Sequence, residues 1–191
     1  MMRRMLVISI LLFPFCTKSF GQNDKNVPKQ LMTFIPKGYV IIDIAKGDLN
    51  LDKYQDYLLV LKKSNEGQGS ELNEGERPLL ILLGNAGKNF TLGGRNDDVV
   101  YCLSCGGFFG DPYTGIEITK GTFTVHHFGG SNDRWSNDIT FKYSKINKTW
   151  YLFKVVDKGW NVFDLNKIDS IVTTKDNFGV VSFKEFTSVD N

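Results

Sequence analysis

The chain has 191 residues, a formal net charge of +2 and 41% hydrophobic residues, enough for one domain with a real core. Arg3, Arg4 and Lys18 are the only charged side chains before residue 22, so the remainder carries 20 basic against 21 acidic residues. So even a balance leaves no basic stripe to follow phosphates, which argues against nucleic acid as a partner.

Residues 1–21 read as a secretory signal peptide. Arg3 and Arg4 form a positive start, Leu6 to Phe15 a short apolar run, and Ser19-Phe20-Gly21 places small residues before a cleavage point. An apolar run of about ten residues is too short to span a bilayer, and no later stretch is long enough. Cys16 lacks the small neighbour that lipid attachment needs, because Phe15 precedes it. The expected location is therefore secreted or periplasmic.

Residues 22–37 are polar, without periodicity, and read as a flexible lead-in to a domain over residues 38–191. Short β-branched and aromatic runs then recur between Gly, Asn and Asp. They predict strands at 39–44, 57–62, 79–83, 89–92, 99–102, 116–119, 122–128, 139–143, 150–156, 168–173 and 180–186. No segment carries a helical stripe over three turns. Lys63 to Arg77 reads as a hydrophilic, mobile loop. Lys120-Gly121, Lys145-Ile146-Asn147-Lys148 and Asp176-Asn177-Phe178-Gly179 read as turns. The expected fold is an all-β single domain of antiparallel meander sheets.

The densest local signal is Gly47-Asp48-Leu49-Asn50-Leu51-Asp52-Lys53-Tyr54-Gln55-Asp56. Oxygen side chains stand at Asp48, Asn50, Asp52 and Asp56, and the Tyr54 carbonyl falls where a backbone ligand is needed. This is the spacing with which a short loop wraps a hard cation, so Ca2+ is the expected metal. An EF-hand would need Gly at Lys53 and a bidentate Glu at Leu59, so this is not one. With Gly38-Tyr39-Val40-Ile41-Ile42 before it, the segment over residues 38–62 resembles the FG-GAP/VCBS repeat, the integrin-alpha-type calcium loop of a propeller blade. The resemblance implies calcium on Asp48, Asn50, Asp52 and Asp56. The chain departs from it at Leu51 and Lys53, where that family usually has glycine. The loop occurs once, and a closed propeller needs at least about four blades of roughly 40 residues, so blade-like sheets rather than a complete propeller are expected.

A second dense block spans residues 96–135. It looks like a block found, with the same loop, in uncharacterised secreted bacterial proteins, and implies compartment and fold but no activity. Cys102-Leu103-Ser104-Cys105 admits a disulfide, a redox pair, half a zinc site or free thiols. Gly106 and Gly107 follow, which cannot start the helix a redox pair needs, so a disulfide is favoured. His126 and His127 are adjacent on a strand and face opposite ways. His127 shares a face with Phe123 and Val125 and reads as core, whereas His126 reads as solvent or cleft. Phe108, Phe109, Tyr113, Phe128 and Trp135 are either core under loops, the favoured reading, or a stacking platform for a sugar or peptide. Asp111 and Arg134 are placed to pair. No phosphate loop or hydrolase signature is present.

The leading expectation is a secreted, calcium-stabilised β domain that binds a protein or glycan without catalysis. The alternative is an extracytoplasmic hydrolase with a site near Asp111, His126 and Arg134. A thiol-redox protein on Cys102 and Cys105 is the third reading.

Overall fold

The computed structural model describes residues 27–69 and 74–188. The expected signal peptide and residues 22–26 of the lead-in lie outside the described residues. Two antiparallel meanders make up the fold. β1 (Tyr39–Gly47), β2 (Asp56–Lys63), β3 (Leu79–Gly84) and β4 (Phe90–Asn96) form a four-stranded sheet in that order. β5 (Tyr113–Thr119), β6 (Thr122–Gly130), β7 (Asp133–Ser144), β8 (Thr149–Asn161) and β9 (Asp164–Thr174) form a five-stranded sheet. Neither closes into a barrel or propeller, and the all-β expectation holds.

The period-two alternation of each strand decides what lies between the sheets. In the first sheet Leu58 pairs with Ile81 and Val60 with Leu79, all on the face that meets the second sheet. From the second sheet Phe123 opposite Phe141 and Val125 opposite Ile139 fill the same core, with Trp150 and Leu152. The other face of β2 and β3 is apolar too: Leu59, Leu61, Leu80 and Leu82 are buried against Leu31, Phe34 and Ile35. These come from the lead-in, where Lys29–Phe34 forms a 3-10 helix with Leu31 fully buried. The lead-in is thus not loose from residue 29 onward. An unbroken apolar strand needs cover on both faces, and this helix supplies the second.

Two expected strands do not form. After β4, Asn96 Oδ1 accepts the amides of Asp98 and Val99, and this local turn ends pairing although Val99 and Val100 are buried. Residues 180–186 make only an isolated bridge, Tyr151 to Ser182. The segment acts as a strap. Phe183 and Phe186 pack edge-on against Phe141, and Asn96 Nδ2 donates to both of their carbonyls at 2.8 and 2.7 Å.

Candidate metal loop and ligand groove

The loop between β1 and β2 carries the predicted metal residues. Its Asp48, Asp52 and Asp56 carboxylates each place an oxygen within 4.8 Å of the others, close enough to hold one metal ion. Asp56 is fully buried and sits at the root of the loop. Its Oδ2 accepts the Leu49 amide at 2.8 Å and its Oδ1 the Gly84 amide at 2.9 Å. Burial raises the Asp56 carboxyl above the usual carboxylate range; those amide bonds oppose the rise, and Asp52 adds to it. Asp48 accepts the amides of Asp52 and Lys53, and Asp52 accepts that of Tyr54 and the side-chain amide of Asn50. Each carboxylate oxygen retains a lone pair after accepting one such bond. The donor set is all hard oxygen, which fits a calcium-like cation rather than a thiolate-seeking one.

Leu51 and Lys53 adopt φ of +65° and +74°. Each such left-handed residue other than glycine costs roughly 1–2 kcal/mol. Leu51 has a compensating contact. Its side chain lies on the β5–β6 turn, where a Cβ on Gly121 would meet Leu51 Cδ2 at 2.9 Å. Leu49 is buried in the core, its carbonyl accepts the Trp150 indole N–H at 3.2 Å, and the Asp48 carbonyl accepts the Gly121 amide at 2.9 Å. The loop therefore ties the first sheet to the second.

Asp111 does not pair with Arg134. It pairs with Arg77, a fully buried side chain that the sequence placed in a mobile loop. Arg77 donates from Nε and Nη2 to Glu66 at 2.9 and 2.7 Å, and from Nη1 and Nη2 to Asp111 at 2.7 and 2.9 Å. The remaining Nη1 proton goes to the Tyr101 carbonyl at 3.2 Å, so all five donors are used. Burial alone would lower the Arg77 pKa, but the Glu66 and Asp111 bonds more than reverse this. The ends of the 63–77 loop are anchored by this cluster.

The three residues of the hydrolase alternative are not brought together. His126 Nδ1 bonds Asp138 at 2.7 Å. Arg134 lies over the rings of Phe109 and Phe128, at 5.1 and 5.9 Å from their centroids. Among the described residues no hydrogen bond or ion pair joins Asp111, His126 and Arg134 to one another. His127 is core, as its face implied, and stacks on Tyr101 with centroids 4.0 Å apart.

Cys102 and Cys105 are disulfide-bonded. The bond lies in the turn that leads to Gly106, whose amide is held by the Gly110 carbonyl at 2.8 Å. Closing so small a loop removes little unfolded-state entropy, about 2 kcal/mol or less. Cys102→Ser is expected to lower stability by no more than this and to keep the fold, as read by urea unfolding and an unchanged near-ultraviolet spectrum.

The aromatic block divides in two. Phe108, Phe109, Phe128 and Trp160 form a row with successive centroids 5.9, 5.5 and 5.9 Å apart, and Phe108 is 85% exposed. Trp135 instead lies over Gly129, where any Cβ would collide with its ring. It helps line a groove of about 800 Å³ with Tyr101, Asn137, Asp157 and Asp169. Within it the Tyr101 hydroxyl donates to Asn137 Oδ1 at 3.2 Å, and Asn137 Nδ2 donates to Asp157 at 2.6 Å. Burial, with the Asp157 charge, pushes the Tyr101 pKa up to about 12, so the hydroxyl stays a donor. Sequence reasoning missed this groove because its residues are scattered over three strands and a linker. The polar inward positions Asn137 and Asp157, on strands otherwise apolar on that face, were the available signal.

Fold and site together define an all-β, disulfide-bearing domain with an acidic loop able to hold a metal ion. The chain matches no family model and no curated protein. A solved structure described as a Xanthomonas type IV secretion system related protein is similar at 13% identity with a TM-score of 0.40, over 78% of this chain and 58% of that one. The chain thus spans less than two thirds of that protein's length.

Proposed function

We propose that this is an extracytoplasmic β module that binds a protein or glycan, is stabilised by calcium and does no catalysis. The observation that carries the calcium reading is the 48–56 loop. It presents three carboxylates around one point, and it accepts left-handed backbone at Leu51 and Lys53 to do so. A cation relieves the repulsion among these groups and favours the ionised form of Asp56 that burial opposes. The disulfide supports an oxidising compartment. The exposed ring row through Phe108 and Phe109 supports a binding role, because such rings stack on sugar or peptide faces.

Extracellular calcium modules bind at about 10⁻⁴ to 10⁻³ M. At tenfold excess over the dissociation constant, calcium should add about 1.4 kcal/mol. For a domain of this size that raises the melting temperature by roughly 3–6 °C over an EDTA-treated sample. Asp52→Ala, at an exposed position, should fold and lose the shift. An unchanged melting temperature in the parent, or an equal shift in the variant, would refute the calcium reading.

A further inference from the structure

We propose that the groove beside Trp135 binds a basic segment of a partner protein, with an arginine side chain seated over Gly159; this rests on the binding role proposed for the domain and names the chemistry of its ligand. Strand register builds the site. Asn137 stands opposite Asp157, and Trp135 opposite Gly159. In the next ladder Asp157 stands opposite Ile171 and Gly159 opposite Asp169, within a regular stretch from Lys154 to Trp160. Two rows therefore cross three strands on one face. One is Asn137, Asp157 and Ile171; the other is Trp135, Gly159 and Asp169. All six line the groove. Gly159 leaves a gap in the second row. A Cβ there would meet only the Arg134 carbonyl oxygen, at 3.9 Å, so the space above the backbone is open. The gap lies between an indole and a carboxylate, with the Asp157 carboxylate diagonally across from Asp169.

These groups are matched to a cation that carries donors alone. Asn137, 7% exposed, spends an amide proton on Asp157, and Tyr101 spends its hydroxyl proton on Asn137. What they retain for a ligand is mainly acceptor capacity. Among the described residues neither Asp157 nor Asp169 forms an ion pair. The basic residues nearby do not supply one. Arg77 has all its donors committed to Glu66, Asp111 and the Tyr101 carbonyl. Lys158 sits between Asp157 and Gly159, and alternation turns it to the other face. Lys167 shares a neighbouring pocket with Asp169 without pairing to it. The groove also takes in Glu76 and Asp98, which form no ion pair either.

The class of cation follows from the walls. Among the described residues the groups of three ligands close enough to share a metal ion reduce to Asp48, Asp52 and Asp56, so this groove suits an organic cation instead. A guanidinium offers five N–H donors in a planar fork, packs on aromatic walls and is more weakly hydrated than an ammonium. A sugar ring brings no charge and leaves the surplus carboxylates unanswered. A volume of about 800 Å³ exceeds one side chain, so neighbouring basic residues of the segment can meet Glu76 and Asp98. The ring row is a separate surface, because alternation sets Phe128 and Trp160 on the opposite face of the sheet from Trp135 and Gly159.

Isothermal titration of the mature chain, with calcium present, tests this. The probe is a blocked five-residue peptide of glycine with one central arginine, beside its lysine and citrulline counterparts. Citrulline keeps the shape of arginine and lacks the charge. The arginine peptide should bind with a dissociation constant below about 1 mM, the lysine peptide at least about tenfold more weakly, and the citrulline peptide not measurably. Added salt should weaken the arginine peptide. Asp169→Asn removes one exposed charge, and Gly159→Val fills the gap with a residue that strands favour. Each should weaken binding at least about tenfold and keep the parent's melting response to calcium. No binding of the arginine peptide at about 1 mM, with that response intact, would overturn this proposal and leave the binding role to the ring row. Citrulline bound as tightly as arginine would overturn charge recognition, and lysine bound as tightly would overturn the guanidinium assignment. Variants that bind like the parent would exclude the gap over Gly159 as the site.

Discussion

Arg77→Met should destabilise the domain by about 3–5 kcal/mol, the range for breaking a buried ion pair from one side. The guanidinium is fully buried, and the Glu66 side chain is only 1% exposed. Removing the cation leaves a carboxylate in the interior with Lys62, at 3.8 Å, as its remaining basic neighbour. The Asp111 side chain is 40% exposed, so water can replace that half of the cluster and its loss contributes less. Arg77→Lys should fare little better, because an ammonium cannot serve two carboxylates and a carbonyl with planar, forked geometry. Urea unfolding decides the matter. The midpoint should fall without a change in slope, and the double variant Arg77→Met with Glu66→Gln should recover part of the loss. A loss below about 1 kcal/mol would mean that water already reaches the cluster.

Acid should weaken the fold through His127 between pH 6.5 and 4. Burial holds this imidazole neutral and lowers its pKa to about 4; the Asn137 side chain and the charges of Asp111 and Asp138 pull the other way, while His126 adds to the lowering. Its Nε2 accepts the Tyr101 amide at 3.3 Å, so a proton there would face a donor. Among the described residues its Nδ1 makes no hydrogen bond, so Asn137 beside it offers a new charge little. The unfolded chain binds the proton at about pH 6.5 and the folded chain does not, so this contribution is complete above pH 6.5 and declines as pH falls toward 4. The loss from this group should approach about 3 kcal/mol at pH 4. Carboxylates titrate near the lower end of the window, so a variant is needed to isolate the histidine. His127→Phe keeps a ring against Tyr101 and removes the titration. It should be less stable at pH 7, because the Tyr101 amide loses its acceptor, yet lose much less between pH 6.5 and 4. A parallel decline in both proteins would assign the acid effect to other groups.

The strands and the convergence of carboxylates in the 48–56 loop were legible in the order of residues because both are local patterns. Alternation in Thr122 to Phe128 needs only neighbours two residues apart, and the 48–56 loop gathers its oxygens within nine residues. His127 could be assigned to the core from the same alternation. The disulfide was favoured because glycines on one side of Cys105 deny it a helix.

What tertiary structure decided are the pairings across distance. Asp111 has two basic side chains nearby in different senses: Arg134 shares its sequence block, whereas Arg77 lies 34 residues away. Charge says only that a cation is wanted. Burial chose Arg77, because an enclosed guanidinium must fill all its donors, and Arg134 can rest on Phe109 at the surface. The lead-in read as polar and without periodicity, yet its Leu31 became a core residue because β2 and β3 are apolar on both faces. Residues 180–186 had the composition of a strand and became a strap: two backbone bonds to β8, Leu152 to Val181 and Phe183 to Trp150, make one bridge, and the Phe141 cluster and the Asn96 side chain hold the rest. The groove of Trp135, Asn137 and Asp157 exists only once β7 pairs with β8, which sets Asn137 opposite Asp157, and Tyr101 is brought beside them. Its residues share no sequence pattern, since proximity there is set by strand register and not by spacing along the chain.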